Sequence, residues 1–539
     1  MRTRNSYLLA ALSGILLLLS LPPFKLGGFL AWFAFVPILI ALYYETRAKR
    51  MGRLARLAGL GSLPLFLWFA WWLPEMSSIA HLEHLFWLWF IIGLALALFI
   101  GVETYGEYVK VYWKPKHLPP KQLQYLPSSL QIILVPLVLT AIEFLVMNIP
   151  GVMQIGGAFG LWSVAKTQWL NPPILKLASF TGMYGITFLV LLVNCAMAYG
   201  ILHYLETKQV FKMAVGVLVI FAIIFSYGAV TVPPERDGDV TVAIIQIPEE
   251  TENLQQQFLE LSEVALKYDP EFIIWSTFVF KDLTVEPYVD FAQTNDVYLA
   301  GWGRELGGCN ALVSPTGEIA YHNMHYNFFT IPQRIGQRDI KSIFFPDIHG
   351  IHTEFGNVGI LECVEAGSTL PAKDFANKGV QFLLVTTASP SAYVYSWALG
   401  TSAIYRAVEH RMFAVEVIGD HDSSMIIGPY GRIVEDIAPE AEIVAGKISF
   451  TTERTFYTKY GDIFGWTISG LLILLIGYNM FLKRRSSFKY CEECLSQISK
   501  DNETCEHCGA SQIKPPLWKR ILLHEYYEHF AHSKKPKKK

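Results

Sequence analysis

Long apolar stretches dominate the first 232 residues of the chain. Runs of about 20 apolar residues, the length of helix that crosses a bilayer, recur there between short polar connections, and one more run follows near the C-terminus. The predicted spans are 7–23, 27–44, 57–75, 85–103, 129–148, 179–202, 213–232 and 464–482. A single such run could be a buried core helix, but eight in one chain predict seven membrane helices in residues 1–232 and an eighth at 462–483.

Lysine and arginine are distributed unevenly over the connections between these spans. Cytoplasmic loops of membrane proteins carry the excess of basic residues, which predicts cytoplasmic N- and C-termini and an extracytoplasmic position for residues 233–463. The first span has Arg2 and Arg4 ahead of it but no small-residue cleavage site after it, so we expect it to be retained. The basic connections hold Arg2, Arg4, the segment 45–56, four lysines in 110–121, Lys208, Lys212 and 483–485, and the opposite ones hold Lys25, Lys166 and Lys176. The pattern predicts a multi-pass protein of the plasma membrane.

The pattern of apolar and polar residues changes near residue 238. Short β-type runs such as VTVAIIQIP and GNVGILEC alternate with amphipathic segments such as ENLQQQFLELSEVALKY, whose apolar residues recur at helical spacing. SMIIGPYGRIVEDI predicts a hairpin with Pro-Tyr-Gly at its turn. Residues 238–453 are long enough to bury a core of their own, and the pattern predicts an α/β domain.

Composition agrees with this division. The chain is 52% hydrophobic and only 17% charged, which is too apolar for an array of ordinary soluble domains. Its formal net charge of −2 gives no indication of a nucleic-acid partner, and none is expected.

Four of the seven cysteines lie close together in the C-terminal tail. The segment CEECLSQISKDNETCEHCG contains two Cys-x-x-Cys pairs separated by ten residues, a spacing that brings four thiolates within tetrahedral reach of zinc. We predict a structural zinc ribbon at 491–509, with Cys491, Cys494, Cys505 and Cys508 as ligands. Four cysteine ligands leave zinc no open position, so no catalytic cofactor is expected. Residues 510–539 predict a short helix and a basic tail, which would either contact anionic headgroups or remain solvated.

Cys363, in GILECVEAG, is the residue that bears on chemistry. A thiol alone proves little, since free cysteine is among the most often buried residue types.

The two halves together resemble one family. LPPFKLGGFLAWFAFVPIL, LASFTGMYGITFLVLLVN, RAVEHRMFAVEVIGDHDSSMIIGPYGRIV and YTKYGDIFGW, in this order over roughly 7–482, are similar to bacterial apolipoprotein N-acyltransferases, the membrane branch of the nitrilase (carbon–nitrogen hydrolase) superfamily. The resemblance implies an extracytoplasmic α-β-β-α sandwich carried by an eight-helix bundle. It also implies acyl transfer from membrane phospholipid to the N-terminus of a lipoprotein through an enzyme thioester.

The resemblance assigns site positions one at a time. VGILECVEA has the family's form around the nucleophile, which makes Cys363 the nucleophile position and Glu365 its supporting carboxylate. The family's glutamate base falls on Thr277 in IIWSTF, and its lysine falls on Asn323 in YHNMH. A second family glutamate falls on Ile331, and an Asn-Asp pair falls on Thr387 and Ala388.

These substitutions leave two hypotheses open. An acid–base group typically contributes about 10²–10⁴ in rate and an oxyanion donor about 10²–10³, so loss of both weighs against the inherited chemistry at Cys363. Other groups near the site, for which a surface or structural role is the simpler explanation, are His322, His325, His349, His352, Lys281 and Lys341. Either the chain is an acyltransferase with an unusual activating set, or it is a catalytically inactive relative. The inactive relative would bind lipid or lipoprotein and act through a cytoplasmic protein partner of the ribbon.

Overall fold

The structure is a computed structural model. It describes residues 3–22, 24–47, 128–148, 163–233, 238–247, 254–275, 286–303, 309–323, 349–387, 393–418, 424–436, 442–485, 488–490, 497–499, 502–509 and 511. The predicted spans 57–75 and 85–103 lie outside the described residues.

Apolar helices form the N-terminal half and recur after the α/β domain. Among the described residues, three helical segments are long and apolar enough to cross a membrane, Gly27–Tyr44, Met183–Thr207 and Lys212–Thr231, and shorter apolar helices occur at Asn5–Ser20, Ile132–Asn148 and Ile463–Tyr478. Each corresponds to a predicted span. The helices outside the α/β domain are α1 Thr3–Ser20, α2 Val36–Arg47, α3 Ser128–Asn148, α4 Pro172–Leu175, α5 Ala178–Thr181, α6 Met183–Thr207, α7 Lys212–Thr231, α12 Phe456–Tyr460 and α13 Ile463–Arg485.

The span predicted at 179–202 begins four residues later, because the chain turns at Gly182. This residue has a φ of 63°, in the left-handed region that glycine adopts without strain. A Cβ placed there would lie 2.6 Å from the ring of Tyr457. The turn therefore separates α5 from α6 and lets α12 pack closely over the start of the span.

The α/β domain is an α-β-β-α sandwich, as predicted. Its two six-stranded sheets have the orders β12-β1-β2-β3-β4-β5 and β11-β10-β9-β8-β7-β6. The strands of the first sheet, sheet A, are β1 Val240–Ile245, β2 Phe272–Trp275, β3 Tyr298–Gly303, β4 Cys309–Val313, β5 Ile319–Asn323 and β12 Ile443–Ile448. Those of the second, sheet B, are β6 Ile351–Thr353, β7 Gly356–Glu362, β8 Phe382–Thr387, β9 Phe413–Ile418, β10 Met425–Ile427 and β11 Ile433–Asp436. The helices are α8 Leu254–Ala265 and α9 Glu286–Asn295 beside sheet A, and α10 Thr369–Asn377 and α11 Tyr393–His410 beside sheet B.

Alternation along the strands divides the apolar residues between two layers. Ile244, Ile274, Ile360 and Leu384 meet between the sheets, whereas the intervening positions face the helices. The outer layer of sheet B does not end at α11. It continues as one hydrophobic cluster into Trp169, Leu175, Met183 and Tyr184 of the membrane half.

Buried polar contacts reinforce this junction along α11. Tyr405 donates a hydrogen bond to the carbonyl of Ala165, and Lys166 donates one to the Ser402 hydroxyl. Lys166 is 1% exposed. Burial, and secondarily the Arg406 cation, lower the pKa of Lys166 well below its usual value.

The pair of Arg406 and Glu409 lies at the same junction. The Nη2 of Arg406 is 3.0 Å from the Oε2 of Glu409, with both side chains at most 1% exposed. This is an ion pair without good hydrogen-bond alignment, because that oxygen makes no hydrogen bond within the described part of the chain. The other oxygen of Glu409 accepts a hydrogen bond from the amide of Met183 at 3.0 Å, at the start of α6. The sandwich is thus fixed directly on the first turn of a membrane helix.

A second compact unit comprises residues 114–125 and 473–539. Its described strands, β13 Phe488–Tyr490 and β14 Gln497–Ser499, form an antiparallel hairpin.

Candidate active site

The strands that carry the predicted site end at one edge of the sandwich. In sheet A, Gly303 at the end of β3 pairs with Cys309, and Cys309 pairs with Asn323 at the end of β5. Strands β1, β2 and β3 are parallel, so β2 also ends at this edge. Thr277 follows the last residue of β2 by two positions and lies outside the described residues.

A hydrogen-bonded cluster shows that sheet B ends at the same edge. Asn310, the second residue of β4, lies between the sheets and donates from its Nδ2 to the Oε2 of Glu362 at 3.4 Å. The Oδ1 of Asn310 accepts a hydrogen bond from the Thr386 hydroxyl at 2.7 Å. Glu362 and Thr386 are register partners at the ends of β7 and β8. The carboxyl ends of β2, β5 and β7 therefore converge, although β2 and β5 belong to one sheet and β7 to the other.

This cluster is buried, with Asn310 1%, Thr386 2% and Glu362 7% exposed. Sequence reasoning did not identify Asn310 or Thr386. The available signal was one polar residue among the apolar positions of CNALV, because an amide that faces an apolar layer needs a partner there.

Cys363 is the first residue of a 3₁₀ turn, Cys363–Gly367, that follows β7 directly. Glu362 and Glu365 close this turn reciprocally: the Glu362 carboxylate accepts from the backbone of residue 365, and Glu365 Oε2 accepts from the Glu362 amide at 3.0 Å. Glu365 is 2% exposed. Such a capping box satisfies the amides at the start of the turn, and it holds two carboxylates on either side of residue 363.

Two further predicted site positions lie at the converging strand ends, and the described histidines lie elsewhere. Asn323 ends β5 and Thr387 ends β8. His349 and His352 are exposed, and His352 Nδ1 lies 3.0 Å from the side-chain oxygen of Asn357 within the β6–β7 hairpin. Lys281, His325, Ile331, Lys341 and Ala388 lie outside the described residues.

The described half of the predicted ribbon forms one tight turn. Cys505 is buried and Cys508 exposed. The amide of His507 donates to the Sγ of Cys505 at 3.4 Å, and Gly509 closes the turn with a φ of 72°. Cys491 and Cys494 lie outside the described residues, and among the residues that the structure describes no group of three or more His, Cys, Asp or Glu could hold a metal ion.

Two family descriptions match the two halves in order. Apolipoprotein N-acyltransferase N-terminal domain matches residues 13–196, and Carbon-nitrogen hydrolase matches residues 241–456. A curated apolipoprotein N-acyltransferase of Geobacter metallireducens is 25% identical over 541 aligned residues, covering 86% of this chain and 93% of the relative. This chain belongs to the apolipoprotein N-acyltransferase family.

A second member, apolipoprotein N-acyltransferase 1 of Treponema denticola, is 25% identical over 419 residues, covering 61% of this chain and 75% of the relative. Among solved structures, an amidase from Nesterenkonia sp. is 15% identical, with a TM-score of 0.31, and covers 40% of this chain and 93% of its own. A carbon–nitrogen hydrolase from Helicobacter pylori is 14% identical, with a TM-score of 0.32, and covers 46% and 98%. As a member of the apolipoprotein N-acyltransferase family, the chain is a membrane protein, and a catalytically inactive relative is not favoured by these matches.

Proposed function

We propose that this chain is an N-acyltransferase that moves an acyl chain from a membrane phospholipid to the amino terminus of a lipoprotein, through a thioester on Cys363. The observation that carries the proposal is the convergence of β2, β5 and β7 at one edge, with Cys363 opening the turn after β7. The names of the curated relatives support the substrate classes.

The chemistry takes two acyl transfers. In the first, the Cys363 sulfur attacks the ester carbonyl of the phospholipid, the thiol proton passes to a base, and the glycerol oxygen leaves with a proton as lysophospholipid. In the second, the acceptor amine attacks the thioester carbonyl, loses a proton, and releases the Cys363 thiol with an amide as product. Each transfer needs a base and a donor to the oxyanion.

We assign the base that accepts the thiol proton to the 3₁₀ turn Cys363–Gly367. Strands β2 and β5 are three positions apart in sheet A, about 14 Å at the usual strand spacing. Threonine at 277 and asparagine at 323 are shorter than the family's glutamate and lysine, and neither is a base at neutral pH. Glu362 and Glu365, held against the turn, are the carboxylates next to Cys363 and are assigned the proton-accepting role. Their negative charges raise the pKa of a neighbouring thiol, so Cys363 is expected to rest protonated.

The membrane arrangement belongs to the proposal as well. Eight spans, with the sandwich on the outer face and both termini in the cytoplasm, agree with the distribution of lysine and arginine. This arrangement gives the carboxyl edge access to outer-leaflet phospholipid and to exported lipoproteins.

A structural zinc ion in the tail is proposed separately. Cys491, Cys494, Cys505 and Cys508 would hold it, and the amide that points at the Cys505 sulfur suits a thiolate ligand. The ion would order the tail around β13 and β14 and take no part in acyl transfer. A cytoplasmic protein that binds this ribbon is a further prediction.

The test is acyl transfer by the purified protein in detergent, from a phospholipid with a labelled acyl chain to a peptide with an N-terminal lipidated cysteine. We expect labelled peptide with the native protein and none with Cys363→Ala. Cys195→Ala is the matched control, because Cys195 is a buried free cysteine of α6. Equal transfer by native protein and Cys363→Ala would overturn the thioester, and no transfer by native protein would overturn the proposed activity.

A further inference from the structure

A pair of cations lies where the sandwich meets the outer end of α7. Lys176 follows α4, and its Nζ donates to the carbonyl oxygen of Thr231 at 3.0 Å and to the Thr231 hydroxyl at 2.5 Å. The same ammonium lies 5.1 Å from the centroid of the Tyr227 ring. Thr231 is the last residue of α7, so Lys176 is fixed at the end of this membrane helix with one N–H still available.

The second cation is Arg411, between α11 and β9. It is 9% exposed and has a φ of 58°, a conformation rare for a residue other than glycine. Its guanidinium lies 4.0 Å from the centroid of the Tyr430 ring, and its Nη1 is buried without a hydrogen-bond partner among the residues that the structure describes. A buried donor without a partner is costly, which points to a ligand that the protein alone does not supply.

The two cations are neighbours. Gly431, next to Tyr430, approaches Leu175 so closely that a Cβ there would lie 2.7 Å from Leu175 Cδ1. Desolvation, and then the Arg411 cation, lower the pKa of Lys176. Glu453 acts on Arg411 electrostatically, but no ion pair of Lys176 or Arg411 occurs in the part of the chain that the structure describes. Two like charges held close together, neither of them in an ion pair among the described residues, favour an anion.

Beside the cations, α7 presents an apolar face. Val219, Ile223 and Val230 are 52%, 62% and 83% exposed. With Tyr227 they line a shallow groove of about 580 Å³ along α7, which ends at Thr231, the residue that Lys176 contacts. A ligand that satisfies both features has an anionic head and an acyl tail.

This place is remote from the candidate active site. Arg411 precedes Phe413, the first residue of β9, and the turn at Tyr430 follows β10, whose Ile427 pairs with Ala414. The cations therefore lie at the amino end of β9, whereas Cys363 lies at the carboxyl edge of the same sheet. Six residues of β-strand span about 20 Å, too far for a lipid headgroup here to deliver its ester to Cys363.

We propose that Lys176, Arg411 and the outer face of α7 bind one phospholipid molecule, with its phosphate between the two cations and an acyl chain along α7. This lipid is a retained structural ligand and is separate from the acyl donor. It bridges the sandwich and the membrane helix at a second point, opposite the edge that carries Cys363.

Binding of a fluorescent phosphatidylglycerol to the full chain in nonionic detergent tests this proposal. The Cys363→Ala background removes turnover, so the result does not depend on acyltransferase activity. We expect Lys176→Gln and Arg411→Gln each to weaken binding about tenfold, the loss of one charge-assisted hydrogen bond. Lys176→Arg keeps the positive charge and is expected to retain binding within about threefold, which would separate loss of charge from misfolding.

Lys25→Gln is the matched control, because Lys25 is another lysine of the outer connections, 61% exposed and paired with Asp436. Its binding should equal that of the background protein. Unchanged binding in the Lys176→Gln/Arg411→Gln double variant, or equal weakening by Lys25→Gln, would overturn the site. Displacement of the lipid by millimolar inorganic phosphate would instead indicate a free-anion site and would overturn the lipid assignment.

Discussion

The junction between the sandwich and the membrane half gives a prediction whose magnitude follows from burial. Arg406→Met leaves the Glu409 carboxylate in a site that is 0% exposed, with only the Met183 amide as partner. Breaking a buried ion pair by removing one partner costs about 3–5 kcal/mol. A loss of 1 kcal/mol lowers the unfolding midpoint of domains of this size by roughly 2–4 °C. The midpoint temperature of Arg406→Met in detergent should therefore be lower than that of the native protein by roughly 10 °C.

The pH dependence of this penalty has a definite sign. Burial raises the pKa of Glu409 to about 7, and Arg406 opposes the shift. Between the ordinary carboxyl pKa and pH 7, the folded state binds the Glu409 proton more tightly than the unfolded state does. The contribution of Glu409 to the free energy of unfolding is therefore most favourable at low pH and falls as pH rises. Removing Arg406 raises the pKa of Glu409 further and so widens this pH range. The loss from Arg406→Met should therefore be larger at pH 8 than at pH 5, where Glu409 carries a proton and no unpaired charge remains.

The assay is heating of the purified protein at pH 5 and pH 8, followed by size-exclusion chromatography. The double variant Arg406→Met/Glu409→Gln should recover part of the loss, because it buries no charge. Arg432→Met, a partly exposed arginine on the β10–β11 turn, is the control and should shift the midpoint little. A shift below about 2 °C for Arg406→Met at pH 8, or equal shifts at both pH values, would refute the reasoning.

Three further predictions concern the site, the tail and the topology. Alkylation of Cys363 should be slow at neutral pH and rise towards alkaline pH, and Thr277→Glu with Asn323→Lys should lower its apparent pKa; a thiolate already formed well below pH 7 in the native protein would contradict the proposed carboxylate surroundings. Cys508→Ser or Cys491→Ser should release one zinc per chain and loosen residues 486–512 without unfolding the membrane half, and metal analysis that finds no zinc in the native protein would remove the ribbon. In intact cells a tag near residue 237 should be accessible from outside and a C-terminal tag should not, and the opposite labelling would overturn the eight-span topology.

Local patterns predicted most elements of the sandwich. The turn signal in SMIIGPYGRIVEDI predicted the β10–β11 hairpin, and helical spacing in 252–268 predicted α8, because each signal depends on neighbours in sequence. The apolar helices among the described residues followed from apolar length alone. The break at Gly182 was missed, since the Tyr457 ring that packs against this glycine comes from a distant part of the sequence.

The site was predictable only where a motif marks it. The GILECVEAG motif marked Cys363, which the structure places at the start of a 3₁₀ turn. The Asn310 cluster depends on how the two sheets face each other, and the contact between Glu409 and the Met183 amide depends on how α11 packs on α6. Neither pairing leaves a periodic trace in the sequence, because the partners are far apart along the chain and belong to different elements. The same applies to Lys176 and Arg411.

The thioester on Cys363 is the central claim, and the intact mass of the protein tests it most directly. After incubation with a phospholipid that carries a single acyl species, and without an acceptor peptide, the native protein should gain the mass of one acyl chain. The added mass should map to the peptide containing Cys363, disappear with neutral hydroxylamine, and be absent from Cys363→Ala. Two results would contradict the account. In the first, the native protein gains no acyl mass without peptide, yet it acylates acceptor peptide when the peptide is added. In the second, the acyl label persists in Cys363→Ala.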